Sequence, residues 1–244
     1  MDSTAYAPAL PMEFESVLGA GAMINWITVG SADVPLYEDW YNFQHLPERV
    51  STPGFLRARR FIAADQPDPA SLDYLTVYET EAPEVLASPE YLRRLDNPTD
   101  LTRQVVPLFR HFRRAACATT VVAGAGSSRR ILAFELEARG DLTTLRSALR
   151  DTIFPSEITN RRIHAGSFYE PDAKISAAKN GTKEGQASSQ QQADALLVLA
   201  ELQTTADSGE IAADVLTALA NSGAEVSVPR PPRVFDLLFE LRAR

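Results

Sequence analysis

The sequence predicts an α+β protein in which one βαββαβ order is written twice. Short alternating apolar and polar runs, the mark of half-buried strands, recur at matching places in the two halves. Stretches of helical periodicity lie between those runs in the same order. A Gly/Ser stretch, Ala123-Gly124-Ala125-Gly126-Ser127-Ser128, separates the halves. This is the split-βαβ, ferredoxin-like order. A lone unit leaves one face of its sheet bare, so two units are expected to pack those faces together around a barrel-like interior. Function is expected in that interior.

Residues 1–20 are rich in Ala, Pro and acidic side chains and read as a flexible arm. The first unit, 21–123, opens on the strand Met23–Gly30, followed by a helix over Val34–Val50. Strands over Phe55–Ala63 and Asp73–Thr80, a helix over Pro89–Leu95 and a strand over Phe109–Ala123 complete it. Strict alternation places Phe55, Arg57, Arg59 and Phe61 on one face of their strand. The second unit, 129–244, has strands over Ile131–Ala138, Ile163–Tyr169, Ala195–Leu202 and Val234–Arg242, with helices over Leu142–Phe154 and Glu210–Ser222. Its polar stretch 174–192 replaces the short Asp65–Leu72 connection of the first unit. With so few apolar side chains it reads as a mobile surface loop, with a lid as the alternative.

Composition narrows the function. The chain has 244 residues, is 45% hydrophobic and carries a formal net charge of −8. That balance disfavours nucleic acid and anionic membranes as partners, since both need a basic field. No run approaches the ~18 apolar residues of a membrane span, and no secretory signal is visible, so a cytoplasmic protein is expected. The single cysteine, Cys117, excludes an intrachain disulfide and reads as a small core residue.

The stretch Tyr37 to Phe55 carries the candidate chemistry. On a helix, Leu36, Trp40 and Phe43 share a stripe expected to bury against the sheet, while Tyr37, Tyr41 and His45 share another. Pro47 removes a backbone donor, so the helix is expected to end or kink just after His45. A histidine there, beside Tyr41 and Asn42, is placed to exchange protons near neutral pH. Alternatively it is a helix-end cation with no role beyond the dipole. Pro53-Gly54 then turns the chain into the next strand.

The segment Asp39-Trp40-Tyr41-Asn42-Phe43-Gln44-His45-Leu46-Pro47-Glu48-Arg49, followed by Pro53-Gly54-Phe55, resembles the EthD-like branch of the dimeric α/β-barrel superfamily. Tyr74–Glu79 and Ser88-Pro89-Glu90-Tyr91 are similar to that family's third strand and second helix. The resemblance covers residues 23–120 and implies a half-barrel that pairs with another to enclose a ligand cavity. It also implies a histidine, here His45, acting as general acid/base on polyketide-like or aromatic molecules without a cofactor.

Sliding the first half onto the second places His45 near Thr152 and keeps a proline, Pro155, but no histidine. One asymmetric site in the first unit is therefore expected. His111 and His164 are scattered, and with one cysteine they make a poor inventory for haem or metal. For the arginines Arg57, Arg59, Arg60, Arg110, Arg113 and Arg114, solvent contact or ion pairs between the units are expected; strand parity alone does not fix which face is inward, and Arg57 and Arg59, if they face the interior, could hold a carboxylate or enolate oxygen. The expected function is a cofactor-independent small-molecule enzyme: an isomerase, cyclase, dehydratase or decarboxylase working by proton transfer. His45, Tyr41 and Asn42 would be catalytic, and Trp40, Arg49, Arg59 and Tyr78 substrate-binding. The alternatives are a non-catalytic protein that binds a small hydrophobic ligand, and a structural module that forms homo-oligomers. A convergent polar group beside His45 in a closed cavity favours the first; an interior filled by side chains favours the last.

Overall fold

The computed structural model describes residues 16–188 and 191–243. The first unit runs β1 (Gly21–Gly30), α1 (Val34–Trp40), a π turn (Tyr41–His45), α2 (Leu46–Val50), β2 (Phe55–Ala63), β3 (Ser71–Thr80), α3 (Pro89–Asp96), α4 (Asp100–Val105) and β4 (Phe109–Gly124). The second runs β5 (Arg130–Ala138), α5 (Thr143–Ala148), a π turn (Leu149–Ile153), α6 (Phe154–Thr159) and β6 (Ile163–Pro171). It continues with α7 (Ala173–Ala177), α8 (Lys183–Ala187), β7 (Gln191–Gln192), β8 (Leu196–Leu202), α9 (Ser208–Asn221), β9 (Val226–Ser227) and β10 (Arg233–Arg242).

Each unit forms a four-stranded antiparallel sheet, in the order β4-β1-β3-β2 and β10-β5-β8-β6. The edges then pair across units, β2 with β10 and β4 with β6, closing the strands into a ring. The fold is thus two fused ferredoxin-like units forming one intrachain α/β-barrel. Closure satisfies the outer strands that a lone sheet would leave as open edges.

Strand alternation sorts the side chains into three cores. Met23 and Ile27 of β1, with Tyr74 and Tyr78 of β3, face the first unit's helices. Phe134, Phe168 and Val198 face those of the second. Between the sheets lie Ile24, Phe61, Leu75, Leu197, Leu199 and Phe235, which fill the barrel. The barrel interior is therefore packed, as an eight-stranded ring with large side chains should be. It is not the ligand chamber expected from sequence, and a filled interior is the outcome named above as favouring a structural module.

Among those inward residues sits an ion network. Arg57 donates to Glu79 at 3.1 and 2.6 Å. Arg59 reaches Glu79 at 3.6 Å and donates across the unit boundary to Glu201. Glu201 also accepts from the Ser128 amide of the linker at 2.7 Å. These arginines are buried, so the solvent-facing option for them is excluded.

Several expectations need correction. Leu36 and Phe43 are exposed, 40% and 78%, and the buried helix stripe is Tyr37, Trp40, Tyr41 and His45. The helix does not end after His45. It widens into a π turn, in which the Leu46 amide donates to the Tyr41 carbonyl, and then continues as α2. The wider turn absorbs the missing Pro47 donor without breaking the helix. The second unit does the same before Pro155, with the Phe154 amide on the Leu149 carbonyl. Matching the two π turns pairs His45 with Ile153 rather than Thr152. A bulge at Leu56 puts Phe55 on the helix-facing side with Ala58, against simple alternation. The N-terminal arm lies outside the described residues up to residue 15. Ser16–Ala20 are not loose: Arg57 donates to the Ser16 carbonyl at 2.7 Å and the Leu18 amide to Glu79 at 3.0 Å.

Gly54 follows Pro53 with φ +85°, and a Cβ there would stand 2.7 Å from Val85 Cγ2. Gly54→Ala is expected to cost more than about 1 kcal/mol, read as a lowered denaturant midpoint, because alanine meets both the left-handed strain and the clash.

Candidate functional site

The π turn decides where His45 points. An inserted residue rotates the side chains that follow, and His45 comes to face the outer surface of the first unit's sheet instead of solvent. Its ring lies 4.3 Å from Trp40 and 5.1 Å from Tyr41, centroid to centroid. Trp40 is itself held by its indole N–H, which donates to Thr102 Oγ1 at 3.0 Å from α4, an element absent from the sequence reading. Tyr78 Oη donates to Tyr41 Oη at 3.1 Å. Burial, then the neighbouring Tyr41 phenol, push the Tyr78 hydroxyl well above its ordinary value, so it stays a protonated donor.

His45 is buried, and its Nδ1 has no hydrogen-bond partner among the described residues. Burial first, and the Arg49 guanidinium second, push its pKa well below the ordinary histidine value; Lys179 adds to this and Glu184 opposes it. The imidazole is therefore neutral at physiological pH, and its position inside a continuing helix removes the reading of His45 as a helix-end cation.

The charges around it come from both units. Arg49, on α2, is 1% exposed and binds Glu184 through Nη2 and Glu48 at 3.2 Å through Nη1. Lys179 and Glu184 belong to 174–192, the stretch expected to be an unstructured surface loop. It instead folds into α7, a 3₁₀ turn over Ala178–Gly181 and α8, and lies over the first unit's helix layer. Asp172 caps α7 at Ile175, Ser176 Oγ accepts from the Ala116 amide at 2.9 Å, and the Lys183 amide donates to Asp96 at 3.1 Å. Local capping and tertiary anchors thus order a segment too polar to form a core of its own. Residues 189 and 190 lie outside the described residues.

Lys179 Nζ lies 3.7 Å from Glu184 Oε1 and 5.0 Å from the Phe112 ring centre. Burial pushes its pKa down to about 7 against the pull of Glu184. Burial would raise Glu184, but Arg49 and Lys179 outweigh it and hold the carboxyl at about 2. What remains between Met23, Trp40, Tyr41, His45, Arg49 and the covering segment is a cavity of about 20 Å³. That is room for about one water. Limited trypsin digestion is expected to cut after Lys174 or Lys183, both exposed, before any strand. Survival of the segment under conditions that nick the termini would show a cover that does not open.

The structure brings together His45, Tyr41, Trp40, Arg49 and Tyr78. It separates Asn42, whose Oδ1 accepts from Arg60 at 3.0 Å beside the Tyr37–Tyr74 cluster. It also separates Arg59, which is held inside the barrel by Glu201 and Glu79. Sequence reading missed Lys179, Glu184 and Arg114. The signal available for the first two was a single Glu among three Lys in an otherwise neutral polar stretch.

A larger cavity of about 170 Å³ lies at one end of the barrel, lined by Trp26, Asp73, His111, Arg113, Glu135 and Arg233. Its guanidiniums are already paired: Arg113 and Arg230 with Glu135, Arg233 with Asp73. His164 lies elsewhere, 3.1 Å from Gln203 Nε2. Burial pushes the Cys117 thiol up, so it stays protonated in the barrel core. Among the described residues, no three or more His, Cys, Asp or Glu side chains gather as a metal site, and no helix is long and apolar enough to cross a membrane.

By sequence, the chain matches no family model and no curated protein. By structure, it is similar to an anthrone oxidase-like protein, with a TM-score of 0.55 at 10% identity over 94% of this chain and 95% of that one. It is also similar to a protein of Fusobacterium nucleatum described as a monooxygenase, with a TM-score of 0.54 at 6% identity over 93% and 96%. A third, a Lactobacillus acidophilus protein also described as a monooxygenase, gives 0.50 at 8% identity over 91% and 96%. The likeness shows the fold, that of the dimeric α/β-barrels, spanned here by a single chain.

Proposed function

We propose that the protein is a small-molecule enzyme that removes a proton from an aromatic or polyketide-like substrate, with His45 as the base. The observation that carries this is a buried, neutral imidazole with an unpartnered Nδ1 beside a buried guanidinium, Arg49. A base must be unprotonated at the working pH, and burial next to a cation secures that. The anion left on the substrate, an enolate or phenolate, would be held by Arg49 and Lys179, while the Tyr78–Tyr41 hydroxyl pair donates towards its oxygen. The aromatic walls, Trp40, Tyr41, Tyr91, Phe109 and Phe112, suit a planar ring. Such a step needs no cofactor, and it serves isomerisation, cyclisation, dehydration or decarboxylation. The resemblance to the EthD-like branch, carried by Asp39–Arg49, supports the same assignment, and the acidic composition with one unpaired cysteine supports a cytoplasmic setting.

The test uses anthrone, chosen from the name of one structural neighbour. Under argon in deuterated buffer, the protein is expected to accelerate exchange of the anthrone methylene protons, followed by proton NMR, and His45→Ala to abolish the acceleration. Equal exchange with and without protein removes the proposal for this substrate type. A second reading follows from the two neighbours described as monooxygenases: the same deprotonation could precede reaction with dioxygen. Oxygen uptake on admitting air, dependent on His45, distinguishes it. A non-catalytic ligand-binding protein is the reading left if anthrone-like rings bind without exchange.

A further inference from the structure

The cations around His45 outnumber the anions that face them. Arg114, on β4, is 1% exposed, and among the described residues it has no carboxylate partner. Its guanidinium donates to Met23 Sδ at 3.1 Å and, at 3.5 Å, to Tyr91 Oη and the Ser176 carbonyl. A thioether, a phenol and one carbonyl are weak compensation for a buried charge. Lys179 and Arg49 share the carboxylate of Glu184, and Glu48 reaches Arg49 from the partly exposed rim. These three cations and His45 line the same small cavity. At the barrel mouth, by contrast, no guanidinium lacks a carboxylate: Arg113 and Arg230 share Glu135, and Arg233 meets Asp73. The charge left over is local to this pocket.

Glu184, like Lys179 on the same segment, differs in origin from the two guanidiniums. It stands on α8, part of the segment from the second unit that covers the pocket, while Arg49 and Arg114 stand on the first unit's own helix and sheet. Swinging that segment away would remove the carboxylate from Arg49 and open the space beneath it at once. The first unit would then present buried cations with no internal anion on the cover side.

We propose that the pocket takes an aromatic carboxylate, whose anionic group takes the place beside Arg49 that the Glu184 carboxylate holds in the closed state, in the cavity that Arg114 also lines. Glu184 is then an internal stand-in for the ligand, carried on a lid, and entry is an exchange of one carboxylate for another. The exchange preserves charge balance at Arg49, which explains how a buried cation pair can be opened without stranding it. It also brings an anion into the cavity that Arg114 lines without a carboxylate of its own. Bidentate guanidinium–carboxylate pairing supplies the discrimination against neutral analogues. This inference names the substrate class of the site proposed above and rests on that reading for the location of the pocket, not for the chemistry at His45.

The probes are 2-naphthoate and its neutral isostere 2-naphthamide, titrated calorimetrically into the full chain. Wild-type protein is expected to bind the acid at least about tenfold more tightly than the amide. Glu184→Gln, which keeps a side chain of the same shape without the competing charge, is expected to tighten naphthoate about tenfold and leave naphthamide unchanged. Arg114→Met is expected to erase the preference for the acid. If that variant unfolds on thermal melting, Glu184→Gln still decides. Equal binding of the two probes, weaker naphthoate binding in Glu184→Gln, or no binding of either probe by either protein would each overturn the proposal. The anthrone exchange assay reports on His45 separately. Exchange without carboxylate preference sinks only the substrate class, and carboxylate preference without exchange sinks only the catalytic assignment.

Discussion

Replacing His45 with alanine is expected to lower the rate of the proton-transfer step by about 10²–10⁴-fold, the usual contribution of a positioned base. The chain should still fold, because the Trp40–Thr102 bond and the Tyr41–Tyr78 pair that shape the pocket do not pass through His45. A melting curve close to wild type with that loss in rate is the supporting result. Retained activity would show that His45 only packs against Trp40. The pH profile gives a second, independent reading. Burial and Arg49 hold the folded pKa well below 6.5, so the rate should stay flat through neutrality and fall only in more acid buffer. An inflection at the ordinary histidine value would contradict a buried base. Stability follows the same linkage. Below about pH 6.5 the unfolded chain binds a proton that the folded chain does not, so His45 costs stability as pH falls towards its folded pKa. NMR titration of the His45 ring protons measures that pKa directly.

Glu201→Ala is expected to be the most damaging single change to the fold, at about 3–5 kcal/mol in urea denaturation. Arg59 is fully buried, and its Nε and Nη2 already lack hydrogen-bond partners among the described residues. Removing Glu201 leaves it only Glu79, at 3.6 Å and shared with Arg57. It also strips the Ser128 amide of its acceptor at the junction between the units. The double replacement Arg59→Met with Glu201→Leu removes both charges together and should restore most of the loss, since the pair sits among Phe61, Leu197 and Leu199. A single-mutant cost below about 1 kcal/mol would mean that water reaches this network and that it does not lock the barrel. Equal damage from the double replacement would assign the effect to packing rather than to a stranded charge.

The strands were legible because period-two alternation survives in most of them. Phe55–Ala63 was read with its observed bounds, and the other core strands within two residues. What the alternation could not carry was the bulge at Leu56, which reverses Phe55 while leaving the hydrophobic pattern intact. The short α4 was missed because six residues make less than two turns of periodic signal, though it supplies the Thr102 that holds Trp40. Around the site, Trp40, Tyr41, His45, Arg49 and Tyr78 were visible as an unusual local run or its strand neighbour. Arg59 was misplaced into the site because the same strand offers Arg59 to the barrel and Arg60 to the helices, and only the register tells them apart.

By itself, the amino-acid sequence determined the repeated element order, the proline that perturbs the first helix and the presence of a histidine beside that proline in one unit and not in the other. These are local properties, set by side-chain periodicity and backbone chemistry within a few residues. Tertiary structure decided the rest. Ring closure through β2–β10 and β4–β6 filled the barrel with side chains and moved the candidate site to the outer face of the sheet. The π turn, an answer to Pro47 that keeps the helix packed, turned His45 inward. Burial made that imidazole neutral and brought Lys179 and Glu184 over it from a segment more than a hundred residues away. Long-range packing and desolvation depend on which surfaces meet, and no local pattern encodes that choice.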